Sequence, residues 1–237
     1  MGFLNPKNVD AYLQKPVVFF DLDGTLLDTY TISFLSRTAK AILKRFYPFY
    51  GKRNVLFAIK ESTRAVFDNS LGSGKNNYEV MLESALRFSR NKNRDDMEQA
   101  LWDFYRKDYP ALGRHCRPIP GARKVVETLH KRGKKICLVT NPIWPLEAVE
   151  ERVRWGGVDP GLFHFKTHSQ IMHSCKPKMD FYQEVLNQQS LRPSDILYFG
   201  DSWKNDYVAK EKLGITTRIL PKDPSEGWKA LLKVLGV

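Results

Sequence analysis

The sequence predicts an α/β protein: a doubly wound, Rossmann-like parallel-sheet core with an all-α module inserted after the first strand. Three observations predict it. Short apolar runs with polar ends recur along the chain, helical patterns lie between them, and one long stretch shows helical periodicity alone. Continuous apolar runs of about four residues suit strands covered on both faces, as in parallel sheets. Alternation of such strands with helices is the pattern of an open α/β sheet.

The first strand is predicted at Val17-Val18-Phe19-Phe20, between Pro16 and Asp21. From residue 31 to residue 115 the alternation stops. Ile32, Leu35, Ala39, Ile42 and Phe46 recur at helical spacing, as do Val55, Ile59 and Val66. Met81, Leu82, Ala85 and Leu86 predict a third helix; Met97, Leu101, Phe104 and Tyr105 predict a fourth. Alternation resumes with a helix over 121–131, closed by Gly133. There follow a strand over 136–139, a helix over 146–155, a less distinct strand over 162–165 and a helix over 179–187. A strand over 196–199, a helix over 206–213 closed by Gly214, and a strand over 217–220 complete the pattern. The expected division is a discontinuous core of residues 1–30 and 116–237 around a helical module of residues 31–115.

At 237 residues and 42% apolar, the chain can bury one sizeable core with an accessory module, and is neither disordered nor a disulfide scaffold. Lys plus Arg number 38 against 26 Asp plus Glu, a net charge of +12, and more than half of that surplus lies in the helical module. Such a surplus favours anionic partners. Three cysteines without a CxxC pair suggest a reducing compartment. The start MGFLNPKNVD has no apolar signal region, and Pro6 breaks the myristoylation pattern. No apolar run approaches the roughly 18 residues of a membrane-spanning helix. The expected compartment is the cytoplasm, with no membrane partner.

The candidate chemistry lies at the strand ends. Asp21-Leu22-Asp23-Gly24-Thr25 follows the first strand. In extended chain, side chains two apart share a side, so Asp21 and Asp23 can both face the crevice beyond the strand's carboxyl end. Gly24 permits a sharp turn with backbone N–H groups near a bound anion, which Thr25 adjoins. Thr140-Asn141 ends another strand with a hydroxyl and amides suited to phosphate oxygens. Gly200-Asp201 ends a third, with Asp206 five residues beyond Asp201. Lys176 precedes Pro177, which suits the first position of a helix and would set an ammonium beside a helix N-terminus.

These motifs, in this order, resemble those of the haloacid dehalogenase superfamily, within it the phosphatases with a helical cap after the first strand. Residues 118–141 also look like that family's approach to its second motif. The resemblance covers about 150 residues of core; the cap matches only in position and helical character. It implies a Mg²⁺-dependent phosphomonoester hydrolase acting on a small phosphorylated metabolite. Asp21 would be the nucleophile forming an aspartyl-phosphate, and Asp23 the acid and then the base. Mg²⁺ would be held by Asp21, the Asp23 backbone, Asp201 and Asp206. Thr140, Asn141, Lys176, Gly24 and Thr25 would hold the phosphoryl group. Four carboxylates around one phosphate need cationic compensation, which Mg²⁺ and Lys176 supply. Asn205 and Asp206 both stand at spacings the family uses for its fourth motif, and Asp206 is favoured as the better Mg²⁺ ligand.

Other readings stay open. A phosphomutase or a phosphonate hydrolase would share this core, and dehalogenases of the family lack the second aspartate. A basic cap would also suit a nucleotide or nucleic-acid end phosphatase, whose binding would be steeply salt-dependent. A non-catalytic binding protein is disfavoured because every catalytic position is filled. Gly72-Ser73-Gly74-Lys75 reads as a connector rather than a phosphate loop, and Phe46, Tyr47, Phe49 and Tyr50 as helix packing rather than a stacking platform. A hinge is expected where the module leaves at Tyr30 and Thr31 and rejoins over 113–120, bringing cations such as Lys44, Arg45, Lys52 or Arg53 towards the substrate. Oligomeric state is not legible.

Overall fold

Val17 to Phe20 offer apolar side chains to both sides of an extended chain, and the fold surrounds them completely. The computed structural model describes residues 12–29, 32–51 and 54–237. Its strands are β1 (Val17–Phe20), β2 (Leu27–Asp28), β3 (Arg117–Pro118), β4 (Lys135–Leu138), β5 (Phe165–Lys166), β6 (Ile196–Gly200) and β7 (Thr216–Ile219). Five of them form a parallel sheet in the order β5-β4-β1-β6-β7, with β1 at its centre. Phe20 is in register with Leu138 on one side and Phe199 on the other. The residues just past these strand ends, Asp21, Thr140 and Asp201, therefore emerge along one edge.

Strand alternation divides the core in two. Val18 and Phe20 face one side, where Val125 and Leu129 of a helix at Ala122–Lys131 pack with Trp228 of another at Pro224–Leu235. Val17 and Phe19 face the other, against Phe181, Tyr182 and Val185 of the helix Met179–Gln189. Helices on both faces of a parallel sheet are the doubly wound arrangement expected.

The inserted module contains α1 (Ile32–Tyr50), α2 (Val55–Asp68), α3 (Asn77–Phe88) and α4 (Arg94–Asp103). The remaining helices named here are α5 (Ala122–Lys131), α6 (Leu146–Trp155), α7 (Met179–Gln189), α8 (Val208–Leu213) and α9 (Pro224–Leu235). Phe46, Tyr50, Val55, Leu82, Met97 and Phe104 form a further apolar cluster, mostly of module residues, which Ala148 of α6 joins from the core side. The buried face of α1 differs from the expected one at its start. Ile32 and Leu35 are 87% and 58% exposed, whereas Phe34 is buried and packs edge-on against Trp155. Docking on α6 outweighs the spacing pattern there. Two other elements are shorter than expected. Asp159 accepts from Gly161 N and winds Pro160–Leu162 into a 3₁₀ turn, so β5 starts only at Phe165. Asp206 lies in the turn before α8, which starts at Val208.

Among the contacts that hold the module to the core, three stand out. The chain leaves through β2 and returns through β3, which pair antiparallel, Leu27 with Pro118 and Asp28 with Arg117. Tyr109 is seated between Trp144 and Trp155, its ring centroid 5.7 and 4.9 Å from theirs. The third contact lies at the start of α3, where the first N–H groups of a helix lack intrahelical partners. Asn76 caps Glu79 N, while Asn77 N and Tyr78 N donate to Met172 O and Ser169 O at 2.8 and 2.9 Å. The expected hinge took account of the first contact alone; Tyr30, Thr31, Lys52 and Arg53 fall outside the described residues.

Candidate active site

Asp21 is the first residue past β1 and Asp201 the first past β6, so adjacent strands deliver two carboxylates to the same place. The turn after Asp21 is closed by Leu26 N and Leu27 N donating to Leu22 O, and by Gly24 N donating to Leu27 O. Gly24 has φ +75°, and a Cβ there would collide with the Asp201 carboxylate. Glycine is required twice over, by the turn and by the approach of Asp201. Asp206 folds back beneath Asp201: its Oδ2 accepts from Ser202 N at 3.0 Å.

Lys176 comes from the loop before α7 and is almost wholly buried. Its Nζ donates to Asp21 Oδ1 and Asp206 Oδ1, both at 2.7 Å, and to the Tyr198 hydroxyl at 2.6 Å. Tyr198 in turn donates to Asp206 Oδ1. Asp21, Asp23, Thr140, Asn141, Lys176, Asp201 and Asp206 line one pocket of about 410 Å³, together with Ser202, Trp203 and Asn205.

The electrostatics show crowded negative charge. Burial pushes the Asp21 carboxyl up to about 8, with Asp206 and Asp201 adding to the rise and Lys176 opposing it. Burial and Asp206 push Asp201 up to about 6. For Lys176, burial works against the charge, but Asp206 and Asp21 outweigh it and raise its pKa. Carboxylate oxygens of Asp21, Asp201 and Asp206 lie within 4.8 Å of one another. A set made only of hard oxygen donors, with more negative charge than one lysine offsets, fits a divalent cation such as Mg²⁺.

A pH-dependent prediction follows. Asp21 and Asp201 have ordinary values of 3.8, which the unfolded chain retains. Between about 4 and 8 the folded protein therefore holds protons that the unfolded chain has released, and metal-free stability falls as pH rises through that window. A cation binds the ionised carboxylates. Mg²⁺ should raise the melting temperature more at pH 8.5 than at pH 5; an equal or larger rise at pH 5 would count against this site.

Several expected phosphate contacts are placed differently. Gly24 N is taken by Leu27 O, so it is not directed at an anion. Thr25 is fully buried outside the pocket lining, with its carbonyl accepting from Trp228 Nε1. The Thr140 amide donates to Thr167 Oγ1, which donates back to Thr140 O, leaving the Thr140 side chain as that residue's pocket group. Asn141 Oδ1 accepts from Lys176 N and thereby ties the lysine loop to the end of β4. Pro177 precedes the N-cap Lys178 rather than opening α7. Asn205 O accepts from the Tyr182 hydroxyl, whereas Asp206 faces Lys176.

The structure adds residues that the motifs did not include. Arg152 of α6 is 4% exposed and pairs with the Asp23 carboxylate; Thr29 Oγ1 donates to the same oxygen at 2.9 Å. The Arg152 guanidinium carbon also lies 5.6 Å from the centre of the Trp144 ring. A sequence signal existed: Arg152 shares the buried stripe of α6 with Ala148, Val149 and Val153. A charge on such a stripe requires a partner.

Of the cations proposed to reach the substrate, Lys44 and Arg45 do not line this pocket, and Lys52 and Arg53 fall outside the described residues. Arg45 pairs with Asp108 and Asp103 inside the module, and Lys75 pairs with Glu83. Phe46 and Tyr50 pack in the module core. His173 Nδ1 meets Glu184 at 2.7 Å, and Cys175 is buried, its thiol pushed up to about 12 by burial.

A parallel α/β sheet with a helical insertion and an aspartate-rich pocket at its strand ends defines a class of hydrolase. The model of the haloacid dehalogenase-like hydrolase family matches residues 18–219, and the chain belongs to that family. Among solved structures, it is similar to a 2-haloacid dehalogenase from Pseudomonas syringae, with TM-score 0.61 and 16% identity over 92% of this chain and 98% of that one. It is also similar to a predicted phosphoglycolate phosphatase from Haemophilus somnus, with TM-score 0.54 and 17% identity over 93% and 98%. CbbY from Rhodobacter sphaeroides in complex with phosphate gives TM-score 0.53 and 19% identity over 88% and 87%. At these identities the likeness is one of fold. No curated protein sequence matches the chain. Among the described residues, no helix is long and apolar enough to cross a membrane.

Proposed function

We propose that this chain is a Mg²⁺-dependent phosphomonoester hydrolase acting through an aspartyl-phosphate on a small phosphorylated substrate. One observation carries the reading: Asp23 lines the same pocket as Asp21 and Lys176, giving a nucleophile, a second carboxyl group and a buried cation around one space. Two carboxylates allow one to attack phosphorus while the other transfers protons.

An Asp21 oxygen attacks phosphorus as the bond to the leaving oxygen breaks, and a proton from Asp23 goes to that oxygen. Water then gives a proton to Asp23 and attacks phosphorus; the Asp21–phosphorus bond breaks, releasing inorganic phosphate and restoring both carboxyl groups. Lys176 and the Thr140 hydroxyl face the phosphoryl oxygens. Asp21, the Asp23 backbone carbonyl, Asp201 and Asp206 would hold Mg²⁺, Asp206 directly or through another group. When bound, the ion supplies positive charge that allows an anionic nucleophile to meet an anionic phosphate. Arg152 and Thr29 fix the Asp23 carboxylate.

The test is phosphate release from a panel of phosphomonoesters with Mg²⁺ and with chelator. Release that depends on Mg²⁺ is expected. Halide release from 2-haloacids without phosphate release would replace the reading with a dehalogenase.

The proton-transfer role gives a further expectation. General acid catalysis contributes about 10²–10⁴-fold and matters most for basic leaving groups. Asp23→Asn should therefore lose more rate on alkyl than on activated aryl phosphates. Arg152→Met should show the same asymmetry more weakly, with Arg152→Lys partly restoring alkyl turnover. Equal losses on both substrate types would leave Asp23 and Arg152 with a structural role only.

A further inference from the structure

A second pocket, of about 680 Å³, opens beside the aspartate pocket and shares two wall residues with it, Asp201 and Trp203. Gly24 also lines it, and the missing Cβ there is what lets the Asp201 carboxylate lie between the two spaces. The rest of the wall comes from the β2–β3 ribbon and from the turn between β7 and α9; no described residue of the helical module contributes. Pro118 and Pro120 on one side and Pro221 and Pro224 on the other make it stiff and apolar, since a pyrrolidine ring fixes φ.

Two features of this wall point to an occupant. Trp203 is 68% exposed, yet its ring is supported: Tyr207 lies against it with ring centroids 4.5 Å apart, and Lys210 Nζ donates to the Tyr207 hydroxyl at 3.0 Å. An indole fixed at the edge of a pocket with its surface open is a stacking platform for a planar ring. The second feature is charge. Arg117 and Lys222 line the pocket, are exposed, and have no carboxylate within ion-pair distance among the described residues. The acids beside them are in use: Asp223 accepts from Ser225 N at 2.9 Å as the N-cap of α9, and Asp28 is not free. Unpaired cations on a rigid apolar wall favour a ligand that carries an anion on an apolar body.

We propose that this pocket receives the alcohol part of the substrate, and that the substrate is the phosphomonoester of a planar-ring alcohol bearing a second negative charge. This rests on the phosphomonoesterase reading above and deepens it. The phosphoryl group occupies the aspartate pocket, the ring lies past Asp201 against Trp203, and the anionic substituent meets Arg117 and Lys222. Ring stacking should contribute about two- to twelvefold in kcat/KM beyond the area buried. The second charge should add about fivefold, because both cations are exposed, and that gain should shrink with added salt.

The test compares three phosphates with closely similar leaving oxygens: cyclohexylmethyl, benzyl and 4-carboxybenzyl phosphate. Wild-type kcat/KM should rise in that order. Trp203→Leu should remove the preference for benzyl over cyclohexylmethyl. Arg117→Gln combined with Lys222→Gln should remove the preference for the carboxybenzyl ester and keep the benzyl preference. Lys131→Gln, the same charge change at an exposed position outside both walls, should alter neither. Each readout is a ratio of two substrates on one protein, so a partly misfolded variant does not distort it. Adenosine 3′,5′-bisphosphate set against 4-carboxybenzyl phosphate distinguishes a nucleobase from an aryl acid as the source of the ring. Equal kcat/KM for all these substrates in wild type, or preferences unchanged by the substitutions, overturns the subsite. If no phosphomonoester is hydrolysed, the catalytic reading fails, and 4-(hydroxymethyl)benzoate becomes the probe. A rise in melting temperature with wild type that Trp203→Leu abolishes would still support the ring site; no rise would overturn it.

Discussion

Asp21→Asn is expected to reduce phosphomonoester turnover by at least about a thousandfold while leaving the fold intact. An amide cannot form the phospho-enzyme, and loss of a nucleophile removes the whole covalent route. The structure adds a second expectation. The introduced amide oxygen can still accept from Lys176 Nζ, while the carboxylate that burial holds at about 8 is gone. In chelator at pH 8.5 the variant should therefore melt at or above the wild-type temperature. Turnover within tenfold of wild type would remove Asp21 from the nucleophile's role, and a large drop in melting temperature would show that the charge itself supports the fold.

Lys176→Met should be costly in both activity and stability. Lys176 is the shared partner of Asp21 and Asp206 in a site where all three side chains are buried. Removing one member of a buried ion pair typically costs about 3–5 kcal/mol because the other charge is left uncompensated. Denaturant unfolding in chelator at pH 8.5, above the value of about 8 to which Asp21 is pushed, should show a loss of that size. Adding Asp21→Asn to Lys176→Met should recover part of it, since one orphaned carboxylate is then neutral. Strictly additive losses would contradict the coupling.

The strand ends were legible because the chemistry and the fold share one signal there. A strand buried on both faces must be apolar, so the polar residues that end Val17–Phe20 and Ile196–Gly200 stand out, and those residues are Asp21 and Asp201. Lys176 could be placed in the site only through the family's motifs, because the loop before α7 brings it across the sheet. Tyr198 was hidden inside an apolar run, where its hydroxyl looks like one more buried ring until Lys176 and Asp206 are placed beside it. The partner of Arg152 was hidden for a different reason. That partner, Asp23, is 129 residues away, and no local pattern encodes the pairing. The first turns of α1 misled because spacing reports an apolar stripe without saying which neighbour it meets, and Phe34 meets Trp155.

The β2–β3 ribbon has a topological consequence. Leu27 and Asp28 on the way out lie directly beside Pro118 and Arg117 on the way back, so the helical excursion begins and ends at nearly one point. The order β5-β4-β1-β6-β7 contains no strand from the excursion. In architectural terms, the catalytic sheet is a closed circuit onto which the helices are spliced as a loop, and the splice point is two residue pairs wide. Module and sheet can therefore change length or sequence independently so long as those pairs, the Asn77–Tyr78 contact and the packing of Phe34 and Tyr109 against Trp144 and Trp155 are kept. A chimaera made by cutting at Asp28 and Arg117 would join chain ends that already lie side by side.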